Sequence, residues 1–124
     1  MRGQALLAGM IGSLALLIPT TGSSAAGFYN GNRLWTACGS TTDGEPPDIC
    51  TSYVMGAVDS VLSAQDAGAM AKRICLPAQI SGGQLADVVR RYLSEHPEAR
   101  HYTAASVLWT SLNRAFPCPP NPAQ

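Results

Sequence analysis

Apolar residues in the second half of this chain recur at three- and four-residue intervals, the spacing that lines one face of an α-helix. From Ser81 the stripe is Leu85, Val88, Val89, Tyr92 and Leu93, and Gln84 stands three residues after Ser81 as in a capping box. Asp87, Arg90 and Arg91 form the solvated face of this helix. It must stop near His96, because Pro97 disfavours helical geometry in the residue before it. A further helix follows. Placing residues 100° apart gathers His101, Ala104, Ala105, Leu108, Leu112, Ala115 and Phe116 in one half of the wheel. The polar half holds Thr103, Ser106, Thr110, Asn113 and Arg114, with Val107 its one apolar exception.

Upstream, Cys50, Tyr53, Val54, Ala57, Val58, Val61 and Ala64 mark another such face, opposite Asp59, Ser63 and Asp66. Asp48 is the predicted cap of this helix. Gly56 within it costs about 1 kcal/mol against Ala and is read as room for a close neighbour. Phe28, Gly31, Leu34, Trp35 and Cys38 predict a short first helix with Asn30 as cap. Residues 39–47, rich in Gly, Ser, Thr and Pro, read as loop. The fold class is therefore all-α, a small bundle of about four helices.

Helix rise decides how the four cysteines pair. The third helix runs about 20 Å out and the fourth about as far back, which returns Cys118 to the level of Cys75. The first helix ends at Cys38, near where the second begins at Cys50. The expected disulfides are Cys38 with Cys50 and Cys75 with Cys118. An even cysteine count suits an oxidising compartment, and the start of the chain agrees. Arg2, an uncharged run from Ala5 to Ile18 and the small residues Ser24-Ala25-Ala26 read as a secretory signal peptide over residues 1–26, cut after Ala26. The apolar run is short of the about 20 residues a membrane span needs, so the mature chain is expected to be soluble.

That chain, 27–124, is one domain with seven Lys/Arg (eight less Arg2) against eight Asp/Glu, and it offers no basic patch for nucleic acid. No CxxC, CxxCH, GxSxG, HExxH or phosphate loop is present. Asp43, Glu45 and Asp48 read as solvated loop carboxylates, His96 as a cap for helix-end carbonyls, and His101 as inward-facing at the start of the fourth helix. No catalytic set, metal site or cofactor is expected. Tyr102 and Trp109, at the edge of the last helix's apolar face, are read as core-boundary packing with protein contact as the alternative.

Several elements stand in a set order: Gly31-Asn32 and Leu34 before Cys38, Cys50 before Tyr53-Val54-x-Gly56 and Val58-Asp59, then Cys75-Leu76-Pro77 and Gln84-Leu85. They continue with Val88-Val89, Tyr92-Leu93, His96-Pro97, Arg100-His101, Ala104 or Ala105, and Phe116-Pro117-Cys118. In these the chain resembles the small periplasmic immunity proteins of the Rap/Tai type, which protect bacteria from cell-wall amidases injected through type VI secretion. The resemblance implies an all-helical, disulfide-bonded domain that blocks the toxin's active-site groove in the periplasm, often as a homodimer. A small periplasmic chaperone or acid-stress protein is the rival reading. Three segments, 39–48, 65–73 and 96–102, are candidates for toxin contact, and the residues singled out are Asp43, Glu45, Glu98, Arg100, Tyr102 and Trp109.

Overall fold

A computed structural model describes residues 27–39 and 44–120, so the expected signal peptide and Asp43 lie outside the described residues. The chain forms α1 (Gly31–Gly39), α2 (Asp48–Asp66), α3 (Gly82–Glu95), a short 3₁₀ turn (Pro97–His101) and α4 (Ala104–Ala115). This is the expected small all-α bundle. No described helix is long and apolar enough to cross a membrane.

Local chemistry explains most helix ends. Asn30 accepts from the Arg33 N–H at 2.9 Å, so α1 starts at Gly31 rather than at Phe28. Ser81 and Gln84 complete their capping box, with Gln84 Oε1 accepting from the Ser81 N–H at 2.8 Å and Ser81 Oγ accepting from the Gln84 N–H at 3.2 Å. Asp48 does not cap α2: it is the first helical residue, and Pro47 holds the cap position without a side-chain bond. Its carboxylate still sits in the first turn, where the helix dipole favours negative charge. α2 ends in a Schellman turn through Gly68 (φ 71°), in which Ala69 N–H donates to the Ala64 carbonyl and Gly68 N–H to that of Gln65.

The core is built from Leu34 of α1, Val54 and Val58 of α2, Leu85, Val89 and Leu93 of α3, and Val107, Leu108 and Leu112 of α4, with Ile74 from the connection before α3. Both expected disulfides are present, Cys38–Cys50 and Cys75–Cys118. Around the second, Ile74 bridges Pro117, Cys75 N–H donates to the Phe116 carbonyl, and Cys118 N–H donates to that of Arg73.

Four expectations about packing are corrected. Gly56 faces open space, and the close approach falls instead at Gly82, where a Cβ would meet the Met55 thioether of α2. Val107 is 2% exposed, not a surface exception, and Ser111 is equally covered, while Ala105 and Ala115 are exposed. His101 is exposed and belongs to the 3₁₀ turn, because α4 starts only after Thr103, whose Oγ1 accepts from the Ser106 N–H at 3.2 Å. Finally Gln65, placed by the sequence at the edge of a loop, is buried at 6% exposure. Its Nε2 donates to the Ile74 carbonyl, and its Oε1 accepts from the N–H groups of Arg73 and Ile74.

Candidate functional site

Of the candidate segments, the turn joining α3 to α4 is the one folded as a helical turn of its own. Pro97 suits the first helical position, Ala99 N–H donates to the His96 carbonyl and Tyr102 N–H to the Ala99 carbonyl, so the turn is closed by its own backbone. Ala99 points inward and is buried. Glu98, His101 and Tyr102 point outward, Tyr102 remaining 56% exposed with its ring tilted against His101, centroids 4.3 Å apart.

Arg100 is not a free surface charge. Its Nε donates to the Leu93 carbonyl at 2.9 Å and its guanidinium lies 4.1 Å above the Trp35 ring, so it clips the turn to the end of α3 and to α1. Its backbone also seats α1: a Cβ at Gly31 would stand 2.7 Å from the Arg100 Cα and carbonyl oxygen, a gap only glycine fits.

His96 organises the other side of the turn. Its Nδ1 lies 3.0 Å from Glu98 Oε1 and its Nε2 3.3 Å from Arg114 Nη1, while the ring tilts against Tyr92. Arginine only donates, so the network assigns the ring proton to Nδ1, donating to Glu98, and leaves Nε2 as the acceptor. The side chain thus ties the turn to α4 and does not cap carbonyls, although its backbone N–H donates to the Tyr92 carbonyl. Glu98 is held below its ordinary pKa first by its own backbone N–H and then by the His96 side chain.

The remaining candidates lie elsewhere. Glu45 is exposed at the start of α3, with Oε2 3.3 Å from where a Gly83 Cβ would stand. Segments 39–48 and 96–102 meet opposite ends of α1, on the order of 12 Å apart at 1.5 Å per residue, so the structure does not merge them. Trp109 is half-buried against the core. Segment 65–73 is anchored at both ends by the buried Gln65 side chain, which bonds the backbone of Arg73 and Ile74, while residues 66–73 are exposed.

Sequence reasoning missed the aromatic and cationic stack near α1: Tyr29 and Tyr53 rings stack at 4.9 Å, with Arg33 4.7 Å above Tyr29. Burial, and then the neighbouring Tyr29, raises the Tyr53 pKa. No periodicity signals such a pair across 24 residues. Among the described residues no group of three or more His, Cys, Asp or Glu is placed to hold a metal, and the Ser81 hydroxyl is engaged in its cap.

Rigid turns, two disulfides and a surface presenting Glu98, His101 and Tyr102 describe a scaffold suited to contact. The family model of Rap1a immunity proteins matches residues 30–118. The chain belongs to the Rap1a immunity protein family. The Rap1a span opens on the α1 cap Asn30 and closes on Cys118, and so encloses all four helices and both disulfides. No curated protein and no solved structure matches the chain.

Proposed function

We propose that this Rap1a protein acts in the periplasm, after export and signal cleavage, as an inhibitor of a peptidoglycan amidase delivered by type VI secretion. The observation that carries the reading is the family match across the whole disulfide-bonded helical domain. Immunity demands binding rather than turnover, and a stapled bundle suits that demand because pre-ordered surfaces lose less entropy on association.

Contact is assigned to the 3₁₀ turn, through Glu98 and Tyr102, together with the 39–48 loop, through Asp43 and Glu45. Arg100 and Trp109 serve behind them, since one clips the turn in place and the other packs on the core. Calorimetry of the oxidised mature protein against the amidase encoded beside it tests the proposal. Tight binding with loss of amidase activity is expected, weakened by Glu98→Lys and Tyr102→Ala in variants that circular dichroism shows to keep the helical fold. Absence of binding by the folded protein rejects the toxin assignment, whereas binding indifferent to both substitutions rejects only this surface. Light scattering on the same sample measures the homodimer that the family resemblance implies.

A further inference from the structure

Neither disulfide spans the middle of the chain. Cys38–Cys50 staples α1 to α2, and Cys75–Cys118 ties the start of the α3–α4 hairpin to its end. Residues 66–73 alone therefore join two separately stapled hairpins. All eight are exposed, and Ala71, Lys72 and Arg73 lie outside any helix. Exposed connections of small and polar residues are the preferred sites of proteolytic nicking.

The basic residues are distributed unevenly about this link. From Gly27 onward the chain holds one lysine, Lys72, and six arginines. Arg33, Arg90, Arg91, Arg100 and Arg114 all sit in helices or in the 3₁₀ turn, so only Lys72 and Arg73 lie in non-helical backbone. A serine endopeptidase directs the carbonyl before the cut into an oxyanion hole, which a carbonyl committed to a helical bond cannot reach. Among the described residues neither backbone group of Lys72 is hydrogen-bonded. The following bond is protected: the Arg73 carbonyl accepts from the Cys118 N–H at 3.1 Å, the Ile74 N–H donates to Gln65 Oε1, and Ile74 is 2% exposed.

We propose that the Lys72–Arg73 peptide bond is a cleavage site for a serine endopeptidase with an acidic specificity pocket, and that the cut leaves two stapled hairpins held by packing alone. Water adds across the amide: the C–N bond breaks, Lys72 gains a carboxylate and Arg73 an ammonium. That ammonium keeps protons for Gln65 Oε1, which accepts from the Arg73 N–H at 2.8 Å, and α2 still packs on α3. Cutting one bond turns the folding of one chain into the association of two. The inference is independent of the amidase reading, because no toxin takes part in it.

The test is brief digestion of the oxidised mature protein with trypsin, followed by intact-mass measurement. One first cut is expected, giving pieces 27–72 and 73–124 whose masses sum to that of the parent plus one water. In denaturant without reductant the pieces should separate, because no disulfide crosses the cut. Under native conditions they should elute together with the parent's helical circular dichroism. The melting temperature of the nicked protein should rise with its concentration, while that of the parent should not. Lys72→Gln, at an exposed position, should abolish the first cut and leave the Arg73–Ile74 bond intact. A chain that resists trypsin, a first cut after any helical arginine, cleavage of the variant after Arg73 at the parent's rate, or pieces that part under native conditions would overturn the proposal.

Discussion

Gln65 shows what a single buried amide can hold. Each of its polar side-chain atoms is bonded to the backbone of residues 73 and 74, the strand-like piece that also bridges Pro117 and leads into Cys75. Gln65→Leu would fill similar volume yet strand the Ile74 N–H and carbonyl in the core. A loss of about 3 kcal/mol is expected in urea unfolding, since unsatisfied buried groups cost far more than the net value of a hydrogen bond. Glu98 offers a gentler probe. Its pKa is depressed, so the stabilisation it brings is complete above the ordinary glutamate value and fades as pH falls through its lowered folded value. Carbon-detected titration of the carboxyl should show His96→Ala raising that value only partway, because the backbone N–H is the larger cause. The caps at Asn30 and Ser81 were legible because donor and acceptor lie within three residues. Gln65 was not, because its partners lie eight and nine residues on, beyond a helix-ending turn.

Helix periodicity located all four helices but misjudged one face. The wheel for α4 included His101, which the structure places in the preceding 3₁₀ turn, and it set Val107 among polar neighbours. A half-wheel describes a helix covered from one side. α4 meets α1, α2, α3 and the 3₁₀ turn, so its buried arc widens to take in Val107 and Ser111. Val107→Ala should therefore destabilise by about 2 kcal/mol in thermal or urea unfolding, the cost of deleting buried methyl groups, where a surface position would change almost nothing. The candidate site divides along the same line. Glu98 and Tyr102 were readable as exposed turn residues, whereas the role of Arg100 depends on Trp35, Leu93 and Gly31, three contacts that no local pattern encodes.

For the molecule as a whole, the disulfide topology was legible because helix length is a ruler: two helices of similar length, run out and back, return their ends to one level. The Cys75–Cys118 bond closes the larger loop, with a sequence separation of 43, and ties the start of the hairpin to its end. Replacing both cysteines by Ala should lower stability by about 2 to 5 kcal/mol, measured by non-reducing urea unfolding against the parent. The seat of Gly31 on Arg100, with Asn30 paired to Thr103, bears on the order in which the chain is made. α1 leaves the ribosome before the other helices, yet at nine residues it is too short to hold alone, and its seat is made more than sixty residues later. α2 and α3, on which α1 also packs, are made earlier, but the glycine seat waits for Arg100, so the packing of the first helix is completed only once most of the chain has been synthesised.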